Sequence, residues 1–176
     1  MQGKTHAIVG ANAVWITALA GQVDQGTIFL IVAGALAGLL PDIDADQAKI
    51  HYIGGGVLGM FKGNFIHRGF FHSWLAVLFI FIISTIFLTQ FHPWLPIIIT
   101  LAYLSHPILD GLTKSGVRFL FPLKKFKLLP KKLGFKISGQ FDNALFVIGA
   151  LLLATFILIQ YYPLLSNFNL FITTGV

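Results

Sequence analysis

His67-Arg68-Gly69-Phe70-Phe71-His72-Ser73, with the long apolar run that starts at Trp74, decides how this chain is read. Two imidazoles and a guanidinium stand at the threshold of a segment with the length and composition of a membrane helix. Read alone, the stretch has two meanings. It can mark a membrane–water boundary, or it can bring metal ligands and an anion-binding arginine to the mouth of a helical bundle. The rest of the chain chooses between them.

Charge and histidine are scarce. The 176 residues are 56% hydrophobic and 10% charged, with 18 Phe. A water-soluble domain carries about 25% charged residues, so the deficit points to a bilayer as solvent. Every acid is an Asp: Asp24, Asp42, Asp44, Asp46, Asp110 and Asp142. There is no Cys, which excludes disulfides and thiolate ligands. Any metal must be held by His, Asp, backbone or water. The net charge of +6 suits anionic lipid headgroups, and no nucleic-acid partner is expected.

Outward from the opening stretch, five apolar runs are candidates to cross a membrane: residues 7–21, 26–40, 74–90, 95–109 and 144–162. A span takes about 20 residues, so the first, second and fourth need their polar ends or a thinned bilayer. Five spans put the N-terminus and the loops 41–73 and 111–143 on one side. All of Lys4, Lys49, Lys62, Arg68, Lys114, Arg118, Lys124, Lys125, Lys127, Lys131, Lys132 and Lys136 fall on that side. Lys and Arg are retained in the cytoplasm. The expected fold is therefore an all-α integral membrane protein, one domain over residues 1–176, with a bundle of about five transmembrane helices. Its N-terminus and its site would be cytoplasmic. The alternative for the first run is a signal peptide ending at Ala18-Leu19-Ala20. Gly34 and Gly38 form a small-xxx-small pair suited to close helix packing.

The remaining polar residues sort by side. His6 opens the first span. Asp42 and Asp44 close the second, in Leu40-Pro41-Asp42-Ile43-Asp44. His67 and His72 lead into the third, His106 and Asp110 lie at the inner end of the fourth, and Asp142 opens the fifth. Outside there are only Asp24 and His92. His106 and Asp110 are i and i+4, on one helix face. Asp42 and Asp44 follow a helix stop at Pro41, and in an extended segment both would point one way. Singly each has a plain reading as a cap, a turn or a helix-end histidine. Together they accumulate ionisable groups where burial is costly. All-nitrogen-and-oxygen ligation suits zinc, manganese or iron, and the mix of Asp and His favours two or three ions. Asp46 and His51 match no ligand spacing.

These blocks resemble a family. Thr5-His6, Leu40-Pro41-Asp42-Ile43-Asp44, the opening heptapeptide and Leu104-Ser105-His106-Pro107-Ile108-Leu109-Asp110 look like the signature blocks of the YdjM-type inner-membrane proteins, described as metal-dependent hydrolases. The family is in turn similar to the zinc-dependent phospholipase C and P1 nuclease group, which is all-helical with a three-zinc cluster. The resemblance implies a metal site of His6, Asp42, Asp44, His67, His72, His106 and Asp110. Where the family often has Glu near the last helix, this chain has Asp142, an additional candidate ligand one methylene shorter.

The function expected from this reading is hydrolysis of a lipid phosphate ester, from a phospholipid or a polyprenyl phosphate, by metal-activated water. Asp42 or Asp44 would be the general base. Arg68, Ser73 and Lys114 would meet the substrate. The basic and apolar stretch from Val117 to Ile137 would lie against anionic headgroups. The alternative is a membrane metal-binding protein with a regulatory role and no catalysis. A transporter would place ionisable groups at the bilayer midplane, where these spans are nearly bare.

Overall fold

The structure is a computed structural model, and it describes residues 1–24, 26–45, 68–121, 130 and 132–174. Side chains of the last helix are described through Tyr162, and that of Asp44 is not. His67, Asp46, His51 and much of the 117–137 segment lie outside the described residues.

Among the described residues every regular element is helical, and an isolated bridge between Thr113 and Phe135 is the extended pairing. The helices are α1 (Gly3–Ala11), α2 (Trp15–Leu19), α3 (Thr27–Ala37), α4 (Trp74–Leu88), α5 (Leu95–Gly111) and α6 (Gln140–Thr174). The first apolar run is not one continuous helix. A 3-10 turn, Asn12–Val14, separates α1 from α2. Asn12 explains the break. Its Nδ2 donates to the Ile8 carbonyl at 2.8 Å and to the Gly149 carbonyl at 2.9 Å, so a polar side chain is inserted where the ladder would continue. The same contact ties the break to α6.

The last run is longer than expected. Pro163 does not begin a tail, because α6 stays helical to Thr174. Its part from Gln140 to Tyr162, 23 residues, is long and apolar enough to cross a membrane. The other apolar helices are shorter: α4 has 15 residues and α5 has 17, about 22 and 26 Å at 1.5 Å per residue. Helix α4 is built inside out relative to a water-facing helix. It buries Ala76 and Ser84 and exposes Phe79, Phe81, Ile82, Ile86 and Phe87. Large apolar side chains outward and small ones inward is the pattern of an apolar surrounding.

The core sits between α2, α3, α5 and α6. Leu30, Leu95, Ile98 and Phe156 pack there around Val14 of the intervening turn. Trp15 meets Phe156 edge to face at 5.2 Å. At one end α1 and α3 approach backbone to backbone. A Cβ on Gly34 would lie 2.5 Å from the Gly10 carbonyl oxygen, and one on Gly38 would lie 2.5 Å from the carbonyl oxygen of His6. The Gly34/Gly38 pair therefore does what its spacing suggests, and it draws the chain around His6 toward the end of α3.

Candidate metal centre

Two helices and two 3-10 turns bring polar residues to that same end. His6 lies in α1. Asp42 lies in the 3-10 turn Leu40–Asp44, which follows α3 with Pro41 in its first turn. His72 ends a second 3-10 turn, Phe70–His72, just before α4. His106 and Asp110 lie one turn apart near the end of α5. At the opposite end, Asp24 and His92 pair with each other at 3.1 Å.

The convergence is close. Ligand atoms of His6, Asp42 and His106 lie within 4.8 Å of one another, and so do those of His72, His106 and Asp110. His106 belongs to both groups, so three imidazoles and two carboxylates form one contiguous cluster. The His6 and His106 rings stack at 3.5 Å with an interplanar angle of 9°, and the His72 ring stands edge-on to His106 at 5.0 Å. The three imidazoles are fully buried; Asp42, at 22% exposed, is the cluster's opening to the outside.

The orientation of His106 follows from its neighbour. Its Nδ1 lies 2.7 Å from the Gly38 carbonyl oxygen. A carbonyl can only accept, so Nδ1 carries the proton and Nε2 of the neutral ring presents a lone pair. That lone pair lies 3.3 Å from Asp42 Oδ1, and Nε2 has no hydrogen-bond partner. His6 is similar: neither ring nitrogen has a partner, and its Nε2 is 3.4 Å from Asp110 Oδ1. His72 Nε2 lies 3.5 Å from Asp42 Oδ1 and 3.9 Å from Asp110 Oδ2. The His106 nitrogen is a buried acceptor facing an acceptor, which is costly unless a cation, a proton or a metal ion, lies between them. The donor set and its orphaned atoms fit a divalent metal held by nitrogen and oxygen.

Burial pushes the Asp42 carboxyl up, but in the metal-free protein a proton held between it and the His106 and His72 rings more than offsets this and keeps it below the usual carboxylate range. Burial lowers the His72 imidazole from its ordinary 6.5, and Asp42 offsets only part of that. Both groups thus stand in the form that ligates metal.

Asp110 carries other partners besides. Arg68 places a guanidinium nitrogen 2.8 Å from Asp110 Oδ2, and the Met1 amino nitrogen lies against Oδ1. Arg68 holds this position from a left-handed backbone conformation, φ 61°, uncommon for a residue with a Cβ. Its carbonyl accepts from the Arg118 N–H at 3.2 Å, and Phe119 accepts from the Trp74 N–H at 3.0 Å. The start of the 117–137 segment therefore packs along the ligand-bearing turn, with Val117 buried.

Residues 1–172 match the family described as YdjM inner membrane protein. The chain belongs to that family. It is 34% identical over 151 residues to inner membrane protein YdjM of Escherichia coli strain K12, covering 80% of this chain and 74% of that one. The match to the Shigella flexneri protein of the same name has the same extent. It is 29% identical over 171 residues to uncharacterized protein YvsG of Bacillus subtilis strain 168, covering 97% of this chain and all of the relative. No solved structure matches. Family membership supports a location in the cell inner membrane.

Of the residues singled out in the sequence, His6, Asp42, His72, His106 and Asp110 come together. Asp44 closes the turn that carries Asp42, its side chain outside the described residues, as is His67. Asp142 is buried beside the cluster but engaged elsewhere. It accepts from Thr5 Oγ1 at 2.6 Å, the Ser138 N–H at 2.9 Å and the Gln2 N–H at 3.1 Å. Ser73 caps α4: its hydroxyl donates to the Phe70 carbonyl at 2.6 Å and accepts from the Ala76 N–H. Lys114 lines a separate depression with Lys132 and Lys136. Two groups escape a reading by residue type. They are the Gly38 carbonyl, which orients His106, and Thr5, which bonds Asp142 next to His6. The small-xxx-small spacing at Gly34 and Gly38 was the signal available for the first.

Proposed function

We propose that this protein is a membrane-bound metal-dependent hydrolase acting on a phosphate ester of a lipid, with zinc, manganese or iron as its metal. The observation that carries the reading is the burial of the His6, His72 and His106 imidazoles around the Asp42 and Asp110 carboxylates, with the His106 lone pair aimed at Asp42 instead of at a donor. An ion bound there would lower the pKa of a coordinated water and polarise a phosphoryl oxygen.

The chain's own residues divide the remaining work. Asp42 is the carboxylate with access to the outside, and it is the group that would take the proton of attacking water. Asp110 is deep and held by Arg68. Arg68 is 15% exposed and its Nε has no hydrogen-bond partner, so it retains donors for a phosphate oxygen. His67 and Asp44 join the ligand proposal on sequence spacing alone. In the arrangement proposed, five crossings place this end at cytoplasmic headgroup depth, and the basic residues of 117–137 lie over anionic lipid.

The test is phosphate or alcohol release from phospholipid and polyprenyl phosphate by the purified protein, with zinc, manganese or iron supplied. Asp42→Asn, His72→Ala and Asp110→Ala should each abolish release. Release at the parent rate by the His72→Ala and Asp110→Ala proteins would sink the hydrolase reading. Bound metal without turnover on either lipid class would leave a metal-binding regulatory protein, for which the nearly closed burial of the cluster speaks.

A further inference from the structure

Beside the metal centre lies an apolar cavity of about 130 Å³. Its wall is built by the segments that carry the candidate ligands. Leu40 and Ile43 flank Asp42 in one 3-10 turn, Phe71 immediately precedes His72, and Tyr103 lies one turn before His106 on α5. Ala76, Phe79 and Ile80 of α4 close the remaining side. The wall is almost wholly apolar. Its one side-chain polar group, the Tyr103 hydroxyl, is already engaged, donating to the Phe71 carbonyl at 2.6 Å. Two residues of the wall, Phe70 and Phe79, are themselves exposed on the outer surface, Phe79 on the apolar outward face of α4.

We infer that this cavity holds the first isoprene-sized segment of a single-chain lipid phosphate, one whose hydrocarbon begins at the ester oxygen. The inference rests on the lipid phosphoesterase reading above and narrows its substrate class. The volume is close to the roughly 150 Å³ of an apolar cavity that takes up one benzene, so it holds about five or six carbons of one chain, and the rest of the lipid lies outside it. The polarity argues the same way. In a glycerophospholipid the second and third carbons beyond the phosphate carry acyl ester oxygens, which would be buried against this wall without partners. In a prenyl phosphate those carbons carry none. The exposed apolar face of α4 continues from the cavity as a surface along which the rest of the chain can lie in the bilayer.

The experiment is photolabelling of the full-length protein in lipid nanodiscs with metal added. One prenyl phosphate carries a diazirine in its first isoprene unit, a second carries it at the far end, and a diacyl phosphatidic acid carries it in an acyl chain. The first probe should label Leu40, Ile43, Phe71 and Tyr103, which line the cavity away from the outer surface, with the other two labelling outward positions of α4 and α6. Ala76→Leu, which narrows the cavity, should lower first-unit labelling about tenfold, the loss expected for roughly two buried methylenes, while labelling of outward α4 and α6 positions by the diacyl probe stays unchanged. Ile80→Trp, at a half-buried position of the wall, should do the same if Ala76→Leu fails to fold. Equal labelling of the cavity by the diacyl probe, or undiminished first-unit labelling in a folded narrowed variant, would overturn the inference. Labelling needs no turnover. A protein labelled in the cavity that releases no phosphate would end the hydrolase reading and keep the binding site, and one that hydrolyses lipid while labelling diffusely would do the reverse.

Discussion

His106 donates from Nδ1 to the Gly38 carbonyl oxygen at 2.7 Å. This bond joins the end of α5 to the end of α3 and sets which ring nitrogen faces Asp42. A ligating histidine normally has its other nitrogen held in this way. The ring is thus prepared before any ion arrives.

Metal content should depend on the cluster and on nothing at the opposite end. His106→Ala and His72→Ala are expected to weaken zinc binding by more than the roughly 10–100-fold that loss of an outer partner costs. Asp24→Ala, in the pair with His92, should leave it unchanged. Elemental analysis of purified protein after dialysis against a weak chelator checks this, and zinc retained equally by all three variants would refute the assignment.

The helix contact that places Gly38 should be intolerant of a methyl group. Gly34→Ala and Gly38→Ala put a Cβ 2.5 Å from a backbone oxygen of α1, which no side-chain rotation relieves. Overpacking of this kind costs about 1–3 kcal/mol. A lowered unfolding temperature in detergent is the expected readout. Gly38→Ala should also weaken metal binding, since its carbonyl can no longer meet His106 without displacing α1.

Asp142 should act on stability more than on metal binding. Asp142→Ala would remove the carboxylate that accepts from the Thr5 hydroxyl and the Ser138 and Gln2 N–H groups; Thr5 keeps the Asp142 carbonyl at 3.4 Å and Ser138 is exposed, so the expected loss is about 1–3 kcal/mol in all. Asp142→Asn keeps one oxygen and should retain part of that. Comparison of unfolding midpoints with zinc stoichiometry in the same preparations separates this role from a ligand role.

Acid should destabilise the metal-free protein in two stages. Folded His72 resists protonation, so the stability tied to its neutral form is fully present above the unfolded value of about 6.5 and falls as the pH drops toward its lowered folded value. Asp42, also lowered, contributes stability present above its ordinary 3.8 and lost as the pH falls further, through its folded value. Unfolding temperature followed downward from about pH 8 should decline first below about 6.5, and His72→Ala should reduce that first stage, leaving the part due to His6, which burial lowers to about 4. An unchanged profile in His72→Ala would show that the buried imidazole is not its source.

Much of the site was legible before the fold was known, because the residue types are so restricted. With no Glu, no Cys and few His, nearly every ionisable group away from the basic residues was a candidate. Their placement at span ends put His6, Asp42, His72, His106 and Asp110 on one face. The helix lengths were less legible. Asn12 reads as an ordinary polar residue within an apolar run, and only its reach to Gly149 across the bundle makes it a break. Pro163 reads as a stop, yet α6 continues past it.

Composition and order alone determined an all-helical, membrane-associated chain with its ionisable groups gathered at one end, because apolar runs must bury or face lipid and charges must avoid both. Tertiary packing decided what those groups do to one another. The glycine contact between α1 and α3 brings His6 over His106, the Gly38 carbonyl turns a lone pair toward Asp42, and Thr5 holds Asp142 aside. Each of these depends on a distance of a few ångströms between segments far apart in the chain. Spacing along the sequence carries no information about such distances.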